Sequence, residues 1–143
     1  MTSNYDKFNQ QAEEFLIKMS NTFPNESKIS EMKMYFDMRR FIGKENPIND
    51  FMYYLEPYGL QIMSKDVAFF QRDAFVKNAE SLSEKMGLIN HWAALNDATK
   101  ESIWSYFQVL YVIGMQTFNK KAELKQIFDK ISGKNLEYDG RNI

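Results

Sequence analysis

The sequence predicts an all-α fold: a compact single-domain bundle of about six to seven helices around a central hydrophobic helix at about residues 98–118. Three observations carry that expectation. Residues 102–119, SIWSYFQVLYVIGMQTFN, contain no charge over eighteen positions, and apolar groups cover almost the whole circumference of a helix drawn through them, the pattern of a helix surrounded by other elements. The flanking segments repeat apolar residues at three-and-four spacing, the period of an amphipathic helix. A chain of 143 residues, 44% hydrophobic and 26% charged, with 12 Phe, 8 Tyr and 2 Trp, is long enough for one core without staples and too apolar for wholesale disorder.

Tyr5, Phe8, Ala12, Phe15, Leu16 and Met19 trace a first helix over about residues 4–21, with Lys7, Gln11, Glu14 and Lys18 on its polar face. Pro24 cannot continue that helix and biases Phe23 away from helical geometry, so Phe23 is expected to fold back as an apolar plug. Asn25 or Ser27 offers the N-cap of a second helix that ends in Arg39, Arg40 and Lys44, with Gly43 just past its end. Ile29, Met32, Tyr35, Phe36 and Arg39 share one face of it. Met34, Met38 and Phe41 lie elsewhere on the wheel, which predicts contact on two sides.

Asn46 followed by Pro47 reads as an N-cap and a first helical position. The third helix then buries Ile48, Phe51, Met52 and Leu55 and stops before Pro57. Residues 57–66 read as a helical turn that Gly59 weakens by about 1 kcal/mol relative to alanine. Phe75, Ala79, Leu82 and Met86 predict a further helix ending at Gly87, after Phe69 and Phe70, and residues 90–95 a short turn. Asn96 or Asp97 caps the central helix, and Gly114 in its middle admits a close neighbour. Asn119 breaks or recaps the chain. Leu124, Ile127, Phe128 and Ile131 stripe a last helix closed by Gly133, and residues 134–143 read as a polar, frayed tail of the single domain 1–143. The core set is Phe15, Phe36, Phe51, Leu82, Trp104, Phe107, Leu110 and Phe128.

A formal net charge of −1 gives no global field to draw the chain onto nucleic acid or anionic lipid. The absence of cysteine excludes disulfides, thiolate metal sites and thiol nucleophiles, and fits a reducing interior. The first fifteen residues lack a basic segment followed by an apolar one, which makes cytoplasmic residence the expectation. The uncharged run approaches membrane-spanning length. Ser102, Ser105, Gln108, Gln116, Thr117 and Asn119 interrupt it, so a core helix is the better reading and a membrane span is not expected.

Catalytic patterns are missing. His91 is the only histidine, which rules out zinc or iron motifs needing two from one chain. Beside Trp92 it reads as a structural residue. Glu13, Glu14, Asp37, Asp50 and Asp66 are spread along the chain as solvated helix faces, with no spacing that pairs an acid and a base. Neither a phosphate-binding glycine loop nor a nucleophile elbow is present. The expectation is therefore not an enzyme, with no catalytic residue, metal or cofactor.

Two basic clusters remain as candidate phosphate contacts: Arg39, Arg40 and Lys44, and Lys120, Lys121 and Lys125 followed by Lys130 and Lys134. Solvated faces and ordinary helix-dipole compensation are the better reading of both. Met32, Met34, Met38, Met52, Met63 and Met86 raise an adaptable apolar groove for a partner helix, against ordinary core filling. Gln108 and Gln116, two turns apart on the central helix, are candidate partner-binding residues: either a hydrogen-bonded seam inside the bundle or a place where another molecule docks.

Several stretches in order resemble a group of small uncharacterised α-helical proteins of nucleocytoplasmic large DNA viruses that infect algae and protists. They are Phe23, Pro24, Asn25 and Glu26; Asn46 and Pro47; Phe51 and Met52 with Leu55, Pro57 and Tyr58; Gln61 and Ile62 with Lys65 and Asp66; Phe69 and Phe70; and Ile103, Trp104, Tyr106, Gln108, Leu110 and Tyr111. The resemblance implies a viral origin and an α-helical domain, with no functional site to transfer. A lysine to arginine ratio of 14 to 4, typical of AT-rich coding, agrees with it. The expected function is that of a non-enzymatic helical protein acting through protein–protein contacts or self-association, in the host cytoplasm or the virion. The alternative is a nucleic-acid-associated module using the two basic clusters.

Overall fold

The computed structural model describes residues 3–66 and 94–139, with side chains through residue 133. The expected helix at residues 75–86, Phe69, Phe70, core residue Leu82, His91 and Trp92 lie outside the described residues. Every regular element among those described is helical, in the order α1 (Asn4–Thr22), α2 (Ser27–Ile42), α3 (Asn46–Leu55), a 3-10 turn (Glu56–Tyr58), the single-turn α4 (Gly59–Met63), α5 (Asp97–Thr117) and α6 (Lys121–Asp139). The all-α expectation holds, with five helices of ten residues or more among the described residues.

Helix α1 starts at Ser3, whose hydroxyl accepts from the Asp6 amide at 3.1 Å and donates to the Asp6 carboxylate at 2.9 Å. This satisfies one orphan amide and sets an acid against the positive end of the dipole. The helix buries Phe8, Ala12, Phe15, Leu16 and Met19, each large side chain contributing roughly 1.5–3 kcal/mol. Phe23 leaves helical geometry and packs on the core edge, the predicted plug.

The caps of α2 and α3 differ from expectation. Glu26, not Asn25 or Ser27, is the N-cap of α2, its carboxylate accepting from the Lys28 amide at 3.2 Å. Asn46 does not cap α3; it is that helix's first residue and donates its side-chain amide to the Arg39 carbonyl at 3.2 Å. It thus satisfies one of the open carbonyls at the end of α2. Gly43 caps α2 in an extended conformation, φ −167°.

Helix α5 is the hub. It packs on α1, α3, α4 and α6, while α2 packs on α1 and α3. Asn96 is its N-cap, accepting from the Thr99 amide at 2.8 Å. It buries Ile103, Trp104, Tyr106, Phe107, Leu110, Tyr111 and Met115. Phe107 links the aromatic core: its ring centroid lies 5.5 Å from Phe15 and 6.2 Å from Phe51, and Phe51 is 5.4 Å edge-on from Phe8. Gly114 receives Met52, as its small size predicts: an added Cβ would meet the Met52 Cγ at 2.8 Å. The surround is incomplete, since Ser105, Val109 and Gln116 face outward along one side.

Asn119 takes a left-handed φ of 60°. The Asn119 amide reaches the Gln116 carbonyl at 3.1 Å and the Lys120 amide the Met115 carbonyl at 2.8 Å. That pairing closes the helix with a Schellman motif. Lys65, at φ 58°, ends α4 the same way, with the Asp66 amide on the Gln61 carbonyl at 2.9 Å.

Two expectations about α6 fail. Phe128 is 42% exposed and no part of the core, whereas Leu124 is buried and Ile127 half-buried. Because α6 meets α4 and α5 along the Leu124 and Ile127 side, Phe128 is rotated outward. Gly133 does not close the helix, which continues to Asp139.

Candidate functional site

The expected contact on two sides of α2 is not found among the described residues: the side away from the core is open to solvent. Helix α2 turns Ile29 and Phe36 into the core. On the opposite side Met34, Met38, Phe41 and Ile42 are 69, 53, 91 and 66% exposed. Their spacing of four, three and one places them on one strip of the helix surface. Large apolar side chains clustered in this way mark interaction sites, unlike scattered exposed ones. Tyr53 on α3 is also exposed; nothing in its spacing singled it out, because the burial stripe of α3 explained its neighbours without it.

The inner side of α2 covers a groove of about 620 Å³ between α1, α2 and α3, with Phe107 and Leu110 of α5 at its base. Phe8, Phe15, Phe36 and Phe51 line it, with Met32 and Tyr54 nearer the mouth. Its polar groups include Lys28, Glu31 and the pair Arg39 and Asp50. The volume and lining fall within the range of small-molecule sites.

Most of the basic candidates are already engaged. Arg39 grips Asp50 through two parallel bonds, Nε to Oδ2 at 2.9 Å and Nη2 to Oδ1 at 3.1 Å, the fork that suits a carboxylate. The bond to Asp50 raises the Arg39 pKa further. Arg40 reaches Glu13 at 3.3 Å and Asp37 at 3.8 Å, and its guanidinium lies 5.0 Å from the Phe36 ring centroid. Lys120 meets the Glu56 carboxylate at 2.6 Å, which raises its pKa. Lys125 bridges Asp129 at 2.9 Å. Lys44 and Lys121 are exposed. The two clusters lie on different helices, each among its own carboxylates.

Gln108 and Gln116 do not form a pair. Gln108 is half-buried and donates to the carbonyls of Ile62 and Met63, both at 3.3 Å, which ties α5 to the end of α4. Gln116 is exposed. Eight residues turn an ideal helix by roughly 80° beyond two full turns, so one side chain meets α4 while the other meets solvent. The methionines also separate: Met52 is buried, Met32 and Met63 half-buried, and Met34 and Met38 exposed. Met86 lies outside the described residues.

The candidate acids are spread over separate partners. Glu13 faces Arg40, Glu14 accepts from the Tyr106 hydroxyl at 2.9 Å, Asp37 pairs with Lys33 and Asp50 with Arg39. Burial, followed by the Glu14 hydrogen bond, pushes the Tyr106 pKa up to about 12. Tyr111 is also pushed up to about 12, by burial and then by the charges of Glu56 and Glu123. Among the described residues no group of three or more His, Cys, Asp or Glu could hold a metal ion. No described helix is long and apolar enough to cross a membrane. Comparison with protein-family models, curated proteins and solved structures gives no match.

Proposed function

We propose that this chain is a non-enzymatic helical protein that works through protein–protein contacts, and that the outward strip of α2 is its contact surface. The observation that carries this reading is the exposure of Met34, Met38, Phe41 and Ile42 on a helix whose other side is built into the core. Water-exposed side chains of this size gain free energy when covered, and methionine adapts to an irregular partner. The viral origin implied by the sequence resemblance, a role as a structural or accessory factor in host cytoplasm or virion, and a full count of six to seven helices belong to the same proposal.

Photo-crosslinking from position 41 in the full chain, in the cells that naturally produce it, tests the reading. A discrete adduct is expected from position 41 and none from a control at Ser105. Equal or absent adducts at both positions would remove α2 as a contact surface.

The nucleic-acid alternative is disfavoured by the ion pairs that hold Arg39, Arg40, Lys120 and Lys125. Phosphate binding would have to displace carboxylates already in place. Electrophoretic retardation of DNA and RNA at two salt concentrations decides it: binding that weakens steeply with salt would revive the alternative, and no retardation at low salt would end it.

A further inference from the structure

We infer that the groove between α1, α2 and α3 is a binding site for an uncharged, largely hydrocarbon small molecule. This goes beyond the contact reading, because the groove lies on the inward side of α2, away from the exposed strip.

The space originates in the sequence of α1. Ala12 occupies the middle of that helix's buried stripe, between Phe8 and Phe15, and its short side chain lines the groove with both rings. Phe51, Phe107 and Leu110 complete the deep wall. Apart from Ala12 itself, these five side chains are apolar, large and only 1 to 7% exposed. A water molecule needs two to four polar partners to be held in a buried space, and this wall offers it no hydrogen-bonding side chain. An apolar molecule needs none, and it gains the dispersion contacts that a close-packed interior otherwise makes for itself. An apolar cavity of roughly 150 Å³ is enough for benzene. At about 620 Å³, the groove has room for a molecule of two or three rings.

The charged lining residues decide against an ionised ligand. Arg39 and Asp50 neutralise each other through their two-bond fork. Lys28 and Glu31 are exposed and stand one helical turn apart on α2, so cation and anion offset each other at the edge of the groove. Among the described residues no uncompensated cation lines the space. A carboxylate, sulfonate or phosphate drawn in behind an apolar body would lose water without gaining a counter-charge, which is costly.

Two probes separate these arguments, because phenylnaphthylamine and anilinonaphthalenesulfonate share one ring frame and differ by a sulfonate. Titrated into the full chain, the neutral probe is expected to bind saturably at a single site, with its fluorescence raised, and about tenfold more tightly than the sulfonate. Ala12→Leu fills the middle of the groove and should weaken that binding several-fold, whereas Phe41→Asp on the outward strip should leave it unchanged. Methyl resonances of the wild-type chain locate the probe without any variant. Those of Ala12, Leu16, Met32 and Leu110 should shift on addition of phenylnaphthylamine, and those of Met34 and Met38 should not.

No saturable binding of phenylnaphthylamine, or methyl shifts confined to Met34 and Met38, overturns the site. A sulfonate that binds as tightly as the neutral probe overturns the uncharged ligand. Should Ala12→Leu fail to fold, the wild-type methyl shifts alone decide.

Discussion

The phenol of Tyr111 donates to the main-chain carbonyl of Glu56 at 2.8 Å, across 55 positions of sequence. The same Glu56 receives Lys120 on its carboxylate. One residue of the 3-10 turn thereby holds both the middle of α5 and the junction that leads into α6. Tyr111 is almost fully buried, so its hydroxyl has no access to water as a substitute partner. Replacing it with phenylalanine leaves the Glu56 carbonyl without this donor at nearly unchanged volume. We expect Tyr111→Phe to lower unfolding free energy by about 1–2 kcal/mol, measured by urea denaturation. An unchanged midpoint would show that the bond adds nothing over hydration.

Alkaline pH should act through the same residue. The pKa values of Tyr111 and Tyr106 are raised from 10.0 to about 12 in the folded chain. Because the folded state favours the neutral phenol, the associated stability is fully present below pH 10, the ordinary tyrosine value, and is lost as pH rises toward 12. Denaturation midpoints between pH 9 and 12 are expected to fall more steeply for the wild type than for Tyr111→Phe. Parallel curves would contradict that linkage.

Three glycines should respond differently to alanine. At Gly59 a Cβ would run into the Tyr111 phenol and come within 2.6 Å of Ile127 Cδ1, and Tyr111 has no space to retreat. Gly59→Ala should cost about 1–3 kcal/mol. Gly114→Ala presses on the Met52 side chain, whose flexible thioether yields more easily, so its loss should be smaller. At Gly133 nothing lies within 4 Å of an added Cβ, and alanine in a helix gains up to about 1 kcal/mol. Melting temperatures should rank Gly133→Ala above wild type, then Gly114→Ala, then Gly59→Ala.

The two sides of α2 should separate stability from association. Phe36→Ala empties a core position and should cost about 3–5 kcal/mol. Phe41→Ala removes a side chain that is 91% exposed, and the chain should stay within about 0.5 kcal/mol of wild type. Chemical denaturation at low protein concentration compares them; a large loss at Phe41 would mean that it supports the fold.

Helix existence and burial stripes were legible because they depend on local period. Phe8, Phe15, Ile48, Phe51, Phe107 and Leu110 all lie inward where the three-and-four spacing puts them. Caps were legible where one side chain serves its own helix, as at Asn96, and illegible where it serves another. Asn46 before Pro47 carries every local mark of an N-cap, yet its amide goes to the Arg39 carbonyl of the preceding helix. Phe128 belongs to an apolar stripe by spacing and is left outside because α6 meets α4 and α5 along its Leu124 and Ile127 side. The α2 strip was legible as apolar residues off the main stripe, but whether such residues meet another helix or solvent is fixed by tertiary packing. Gln108 illustrates the same limit, since its partners are carbonyls 46 and 45 positions away.

The contacts of Glu56 also bear on how the chain is joined to itself. Tyr111 to Glu56, Lys120 to Glu56, Gln108 to Ile62 and Met63, and Lys65 to Glu101 at 2.8 Å all tie residues before position 67 to residues after position 93. The core reinforces them, since Phe15 meets Phe107 and Met52 meets Gly114 across the same divide. Continuity of the backbone between the two parts is therefore not their principal bond. Fragments 1–66 and 67–143, made separately, should recover helical content on mixing, and no recovery would show that the covalent connection is required.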